Sequence, residues 1–388
     1  MTATEEIRRR SLFILIVAIA IYQPRRRPRW IYQNPLPYSQ FDWTLDNWPL
    51  DKFKYFCRFN KEEVVYWTQL LELDTLEFNN RLNPSSPYFA LAVTCARLRY
   101  PADWAVLCDH FGRCRDYLST IFTDTIEYLD RRYLQLLEWH PQLELPRIRH
   151  YAECIRRRGG GVGIWGFVDG TFRGFNRPTR RQRDYYSGHY HSHGFKYQAI
   201  VTPDGLVSSF IGPFHGRDND WSIWQRSVVP SKLDELLQPR ERYYVYGDLA
   251  YHNHPGVMAP YKHRYGFRYL TAEQRAFNRR LSKVRIAVEH AFGRTQSLWT
   301  YTAFTKGLEL GKQAVAAFFR IAILMTNIYT CTSGQGQSSI RFVCPPPSVE
   351  AYICISRRQQ LLWLILRALS IPIWRVLRLR RWLLPALK

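Results

Sequence analysis

The chain has 388 residues, of which 46% are hydrophobic, so it can bury the core of one large domain and a smaller one; this excludes a chain too polar to fold. Its 55 Lys and Arg residues against 32 Asp and Glu residues give a formal net charge of +23. Such an excess indicates a polyanionic partner, either nucleic acid or an anionic membrane surface, with a merely solvated basic surface as the alternative.

Residues 1–50 are predicted to be a hydrophobic and basic extension. Arginines at positions 8–10 precede an apolar run at 12–21, and arginines at 25–27 follow it, as in a signal peptide. No small-residue cleavage site follows, and the run is shorter than the roughly 20 residues that a membrane-spanning helix needs. We expect a helix that packs on the body or lies at an interface, with secretion or membrane anchoring as the alternative.

Residues 51–155 are predicted to be helical, because apolar residues recur there at helical spacing. Within this region, about residues 102–122 have a helix-turn-helix pattern: a helix over about 103–111, a turn at Gly112, and a second helix beginning near residue 115. The pattern favours a second helix in a DNA groove, and an ordinary helical hairpin is the alternative. The residues expected near phosphates or bases are Arg113, Arg115 and Tyr117.

After a basic, glycine-rich link at 156–163, the sequence changes to short aromatic and β-branched runs, which predicts a domain boundary near residue 160. The segments IWGFVDG, FKYQAIVTPDG, LVSSFIGPF and RYYVYGD predict strands, with Pro203-Asp204-Gly205 closing a hairpin. Long helices are predicted over 273–295 and 311–329. The sequence therefore predicts an α/β core over 160–330. Residues 331–388 are predicted to be an extension, of which 361–388 form an amphipathic helix or an unfolded tail.

Eight cysteines are spread along the chain, with no CxxC pair and no close Cys/His cluster of the zinc-ribbon type. This pattern predicts reduced, mostly buried thiols of an intracellular protein. The eight are Cys57, Cys95, Cys108, Cys114, Cys154, Cys331, Cys344 and Cys354.

Three acidic residues have the setting of metal ligands. Asp169 and Asp248 each stand at the end of an apolar predicted strand beside a glycine, where a ligand can reach them. Glu289 lies among core-seeking residues of a predicted helix, where an acid needs a partner such as a divalent cation. Carboxylate oxygens are the ligands that Mg²⁺ and Mn²⁺ prefer. Alternatively, the two aspartates are turn acids and Glu289 pairs with Arg285 one helical turn earlier.

Five blocks, in order, resemble the DDE-type transposases of the PIF/Harbinger group, including Harbinger-derived nucleases. The blocks are GFVDGTFRGFNRP, HGFKYQAIVTPDGLV, FHGRDNDW, YYVYGDLAY and VRIAVEHAFGR. The similarity covers about residues 90–330, helix-turn-helix included. It implies an RNase H-like catalytic core, two divalent ions (Mg²⁺ or Mn²⁺), and cutting and joining of transposon DNA. It places the catalytic and metal-binding triad on Asp169, Asp248 and Glu289.

The chain departs from this family's pattern where a His-Asp pair is usual, because it has Asn219 and Asp220 there. Asp220 keeps the acid and is a candidate for supporting the metal ligands from outside. The histidines at 189, 191 and 193 are predicted to alternate on one strand face, and contact with the DNA backbone is favoured over a zinc site. A basic loop is predicted to contact DNA, with a solvated loop as the alternative; its arginines are Arg177, Arg180, Arg181 and Arg183.

The function predicted from these features is a metal-dependent DNA endonuclease or transposase that cleaves at transposon ends and can join them to target DNA. The alternative is a domesticated DNA-binding protein that has lost cleavage, and a membrane-associated protein is a third possibility that rests on the chain ends alone. By analogy with the family, we expect DNA, a Myb-like DNA-binding protein and further copies of the chain as partners. A nuclear location is expected.

Overall fold

The first half of the chain is helical in the computed structural model, which describes residues 48–73, 76, 87–101, 103–237, 241–262, 269–303, 307–334 and 336–353. Most of the predicted N-terminal extension and the tail from residue 354 lie outside these ranges. The helices of this half are α1 (Leu50–Cys57), α2 (Lys61–Leu70), α3 (Pro87–Arg99), α4 (Trp104–Phe111), α5 (Arg115–Glu138) and α6 (Leu145–Arg157). The prediction of a helical region is confirmed.

A mixed sheet follows, as the α/β prediction requires. In the described part of the chain its strands are β1 (Ile164–Gly174), β2 (Tyr186–Ser187), β3 (Ser192–Val201), β4 (Val207–His215), β5 (Tyr244–Tyr246) and β6 (Val257–Met258). The central strand β1 lies between β3, to which it is antiparallel, and β5, to which it is parallel. β4 extends the sheet beyond β3, and β6 extends it beyond β5. The four predicted strands are confirmed as β1, β3, β4 and β5.

The predicted hairpin joins β3 to β4. Thr202 N–H donates to the carbonyl of Leu206 at 3.0 Å across the turn. Gly205 has φ 84°, a conformation that glycine adopts without a steric penalty, so Pro203-Asp204-Gly205 can close the loop tightly.

The helices that interleave with and follow the sheet are α7 (Gln182–Tyr185), α8 (Asp220–Arg226), α9 (Val229–Leu236), α10 (Ala272–Leu298), α11 (Val315–Ser333), α12 (Gln337–Phe342) and α13 (Val349–Ile353). The two predicted long helices are confirmed as α10 and α11, the second beginning and ending four residues later than expected. α10 begins at a capping box in which Thr271 accepts a hydrogen bond from Gln274 N–H and Gln274 accepts one from Thr271 N–H.

The helical half and the sheet share one core. α6 packs on β1, while α5 and α11 pack on each other and on β4. The described residues all belong to one compact unit, residues 31–353, so the predicted boundary near residue 160 is not a break in packing. Domain limits within this unit stay a prediction.

α11 is the most apolar of the long helices. By length and composition alone, it is the one helix of the described residues that could cross a membrane, and 83% of its apolar window is buried in the fold. Its Arg320 binds both carboxylate oxygens of Asp130 on α5 at 2.6 Å and donates to the carbonyl of Gly212 at 3.1 Å. α11 therefore has the burial and the polar contacts of a core helix.

The segment after α11 also belongs to the core, although 331–388 was predicted as an extension. Phe342 of α12 and Tyr352 of α13 are 2% and 1% exposed. Asn327 of α11 donates to the hydroxyl of Tyr352 at 2.7 Å. Helices of five or six residues are too short to show helical periodicity in sequence, which is why the prediction missed them.

Candidate active site

The strand register brings Asp169 and Asp248 to the same edge of the sheet. β1 and β5 run parallel, with Phe167 opposite Tyr246. Each aspartate lies two residues beyond this pair, Asp169 within β1 and Asp248 just after β5. The two acids are close enough for the charge of Asp248 to act on Asp169. The prediction that these acids follow buried strands is confirmed for Asp248, while Asp169 lies within the longer strand β1.

Glu289 reaches this edge from α10 through an arginine. Arg285 donates from Nη1 to Asp169 Oδ2 at 2.9 Å and from Nη2 to Glu289 Oε1 at 2.8 Å. One guanidinium thus bridges an acid of the central strand and an acid of the long helix. The pair of Arg285 and Glu289 that the alternative interpretation predicted does exist, but the same arginine also binds Asp169.

Glu289 is not among the core residues, contrary to the prediction from its apolar neighbours. Its side chain is 54% exposed, because the apolar stripe of α10 runs along Leu281, Val284 and Val288 and leaves Glu289 beside it. An exposed acid can be paired or solvated without a metal, so burial gives no support to Glu289 as a ligand. Its link through Arg285 to Asp169 gives that support instead.

Asp169 is in an unfavourable electrostatic position for a charged carboxyl group. Burial raises its pKa to about 6, and the charge of Asp248 acts in the same direction, against the opposing effects of Arg285 and the N–H of Gly170. A further cation at this edge would stabilise the ionised form. The site therefore has the oxygen ligands and the negative charge that Mg²⁺ or Mn²⁺ requires.

Asp220 lies against the same strand, at the start of α8. A Cβ atom at Gly170 would collide with its carboxylate, so only glycine allows Asp220 to approach the strand beside Asp169. Lys196 of β3 donates to Asp220 Oδ1 at 3.2 Å, and Gln198 donates to its backbone carbonyl at 3.2 Å. Asp220 is thus placed where it could orient the site, and its supporting role stays a prediction.

Sequence reasoning missed Lys196, Gln198 and Tyr251, which line this edge behind the acids. Gln198 donates to the hydroxyl of Tyr251 at 2.9 Å. Burial raises the pKa of Tyr251 well above its ordinary value, and the charges of Asp220 and Asp169 add to that rise. A signal was available, since Lys196 and Gln198 alternate on β3 with apolar residues.

The predicted basic loop lies between β1 and β2, with Arg183 on the short helix α7. All four of its arginines, at 177, 180, 181 and 183, are exposed. Arg177 donates to Gln182 at 2.9 Å, and Arg181 pairs with Asp184 at 2.8 Å, so the loop has internal order. Contact with DNA stays a prediction.

The helical hairpin predicted as a helix-turn-helix turns where expected, with Gly112 in a left-handed conformation (φ 57°) between α4 and α5. Its second helix begins at Arg115 as predicted but continues to Glu138, beyond the predicted limit near residue 122. Arg115 is exposed at the first residue of α5, and Arg113 is half-buried. Tyr117, in contrast, is 3% exposed and packs near Phe89, so its ring is a core residue rather than a DNA-facing one. We leave Tyr117 out of the proposed DNA surface, and DNA recognition by α5 stays a prediction.

The three histidines at 189, 191 and 193 do not alternate on one strand face. His189 and His191 lie in the turn between β2 and β3, and only His193 belongs to a strand. His191 has φ 47°, so the chain reverses there and the period of two that a strand requires is broken.

Part of the chain that contains this site is similar to known proteins. Residues 168–327, which include all four acids described above, match the family described as DDE superfamily endonuclease. The probable transposase for insertion sequence element IS702 from Microchaete diplosiphon is 30% identical over 127 residues, which cover 32% of this chain and 43% of that protein. The chain therefore spans less than half of that relative. No solved structure matches at comparable significance.

We expect the stability of the metal-free chain to fall as pH rises from about 4 to about 6, relative to the Asp169→Asn variant. The pKa of Asp169 rises from an ordinary 3.8 to about 6 on folding. Between these values the folded state binds more protons than the unfolded state, so the free energy of unfolding decreases with pH, by at most about 3 kcal/mol. Thermal melts in chelator at several pH values measure this. A difference between the two proteins that does not change with pH would contradict it.

Arg285→Gln is expected to strengthen Mn²⁺ binding in the absence of DNA by about tenfold, because the guanidinium competes for the oxygens of Asp169 and Glu289. Lys283→Gln is the matched control, since it removes the same charge from an exposed position of α10. Calorimetric titration gives both affinities. Weaker binding in Arg285→Gln would mean that the arginine supports the ligands rather than competing with them.

Proposed function

We propose that this protein is a divalent-metal-dependent DNA endonuclease of the transposase type, with Asp169, Asp248 and Glu289 as the metal ligands. The observation that carries this proposal is the cation already held at the site. The guanidinium of Arg285 contacts Asp169 and Glu289 together, and Asp248 lies beside them. All of these residues fall in the segment that matches the endonuclease family.

The donor set consists of carboxylate oxygens, which suit Mg²⁺ or Mn²⁺. By analogy with the family that the sequence resembles, we propose two ions, which Asp169, Asp248 and Glu289 would hold. When bound, such ions activate a water molecule and stabilise the leaving 3′ oxygen of a phosphodiester. Asp169 and Asp248 supply fixed oxygens from adjacent strands, while the exposed carboxylate of Glu289 can adjust its position from α10. Arg285, once displaced from the acids, is available to a DNA phosphate.

The RNase H-like interpretation is supported by the mixed sheet, whose central strand carries Asp169 between an antiparallel and a parallel neighbour. In the same proposal, the freed 3′ hydroxyl attacks a phosphodiester of target DNA and displaces the 3′ oxygen of that bond, so that one site performs cutting and then joining. By analogy with the PIF/Harbinger group, we also propose that the protein acts with a Myb-like partner and with further copies of the chain. The same analogy gives a nuclear location.

We further propose that DNA lies over the arginine segment between β1 and β2. This segment follows the strand that bears Asp169, and its four exposed arginines supply positive charge for a phosphate backbone. Arg115, at the start of α5, is a second exposed cation that could contact the backbone. The alternative, a DNA-binding protein that has lost cleavage, would keep this basic surface. It would differ only in that its acids do not support cleavage.

Asp169→Asn, Asp248→Asn and Glu289→Gln are each expected to lower cleavage by orders of magnitude while keeping most DNA binding. Each variant keeps the side-chain shape and removes one negative charge, and two divalent ions cannot be held close together without several anionic ligands. An end-cleavage assay with Mg²⁺ or Mn²⁺ measures this, with a thermal melt of each variant.

Glu273→Gln is the matched control for Glu289→Gln, because it changes an exposed acid of the same helix. If Glu289→Gln cut DNA as fast as Glu273→Gln, the third ligand would be wrongly assigned. If the unaltered protein bound DNA without any metal-dependent cleavage, the inactive DNA-binding alternative would replace the proposal.

Replacing the four loop arginines with alanine is expected to flatten the slope of log affinity against log salt concentration. The slope should change by about one unit for each phosphate that the loop no longer neutralises. A control variant neutralises four exposed arginines of α6 and its end, at 149, 156, 157 and 158. Equal slopes for the two variants would show that the loop has no special part in DNA binding.

A further inference from the structure

Three metal-ligating side chains meet away from the acids. His150 and Cys154 lie one turn apart on α6, and Cys344 follows α12, so residues almost 200 positions apart come together. His150 Nε2 lies 3.6 Å from Cys154 Sγ and 3.7 Å from Cys344 Sγ. The three donor atoms all lie within 4.8 Å of one another, and this is the one such cluster among the described residues.

These distances match the edges of a tetrahedral zinc site. With Zn–S near 2.3 Å and Zn–N near 2.0–2.1 Å, tetrahedral angles place sulfur about 3.5–3.6 Å from nitrogen. The observed sulfur-to-nitrogen separations of 3.6 and 3.7 Å match this value. The two sulfurs lie within 4.8 Å of each other, so the three atoms are close enough to share one ion. A thiol and an imidazole that share only a hydrogen bond would also lie this close, so the experiment must separate the two.

The local sequence holds the donors in place. A spacing of four residues puts His150 and Cys154 on the same face of α6. Cys344 is fixed by a hydrogen bond from its N–H to the carbonyl of Ser339 at 3.0 Å and is followed by three prolines. Val343, directly before it, has φ 53°, which is a strained conformation for a β-branched residue. The backbone therefore turns sharply just before Cys344.

Burial divides the cluster into an enclosed side and an open side. Cys154 and Cys344 are 5% and 2% exposed, whereas His150 is exposed. Two buried sulfurs with one accessible imidazole would hold an ion firmly and leave its fourth position facing solvent. Both thiols would release their protons on binding, and the cation would offset the charge of the two thiolates.

We propose that His150, Cys154 and Cys344 form a Zn²⁺ site, with a fourth position open to water or to an outside ligand. The site ties the segment after α12 to α6, which packs on β1. Sulfur and imidazole favour Zn²⁺ over the Mg²⁺ or Mn²⁺ that carboxylates select, so this site is chemically distinct from the acids. The seven described cysteines are free thiols, six of them buried, which agrees with the sequence-based prediction of unpaired cysteines.

The test is the zinc content of the full chain, purified under reducing conditions, equilibrated with Zn²⁺ and dialysed. We expect about one zinc ion per chain and its loss in Cys154→Ser, Cys344→Ser and His150→Ala. His150→Ala is the most informative variant, because its exposed side chain can be removed without opening the core. Outer partners of metal ligands change affinity by about 10–100-fold, so removal of a ligand should weaken zinc binding by more than about a hundredfold.

Two control variants separate this proposal from others. Cys331→Ala alters a buried thiol outside the cluster and should keep the zinc. Asp169→Asn should also keep it, so failure of the endonuclease proposal would leave this one standing. Replacement of zinc by Co²⁺ should give thiolate-to-cobalt absorption that Cys331→Ala retains and Cys154→Ser loses.

Three results would overturn the zinc site. The first is an unaltered chain that holds no zinc after equilibration. The second is zinc that remains at full affinity in His150→Ala and in both serine variants. The third is an intact mass lower by two hydrogens in the reduced-condition preparation, with a peptide linking Cys154 to Cys344, which would make the pair a disulfide.

Discussion

Like charges held together on two neighbouring parallel segments, Asp169 within β1 and Asp248 just after β5, are the constraint on which the rest of the site depends. Asp169 is mostly buried, and the charge of Asp248 raises its pKa further. Repulsion of this kind is weakly screened away from water, so a nearby cation, or a proton taken up by Asp169, stabilises this edge of the sheet. Arg285 provides one positive charge. An edge that is stabilised by one cation is well suited to bind metal ions in its place, as the proposed function requires.

The scaffold divides the acids into fixed and adjustable ligands. β1 is paired on both sides, and α6 packs on it, so Asp169 has little freedom. Behind the sheet, the buried pair of Arg320 and Asp130 joins α11 to α5, and such a pair is costly to break because either partner alone would leave an uncompensated charge. Glu289 lies at a half-exposed position of α10, so its carboxylate can adjust its position to a bound ion. In the proposed function, the two rigid acids would define where ions bind, and the acid on the helix would complete the site.

The strands and long helices could be predicted because their hydrophobic patterns are local. Asp169 and Asp248 stood out because each follows an apolar run beside a glycine. Contacts between distant segments could not be predicted in this way: Arg285 was paired with Glu289 from helical spacing, but nothing local indicated its bond to Asp169. The same limit applies to Tyr117, whose burial depends on α3, and to Cys344, whose partners on α6 lie almost 200 residues earlier.

The sulfur cluster and the acids are connected through α12. This short helix packs against both α6 and α10, and its Arg341 donates to the carbonyl of Lys283 at 2.8 Å, two residues before Arg285. Holding Cys344 against α6 fixes the end of α12, and α12 in turn contacts the helix that carries Arg285 and Glu289. Loops closed over long sequence separations cost the most conformational entropy, so a tie between Cys154 and Cys344 would constrain the unfolded chain strongly. A thiolate site for Zn²⁺ would then stabilise the frame on which the carboxylate site for Mg²⁺ or Mn²⁺ is built, while ligand chemistry keeps the two ions apart.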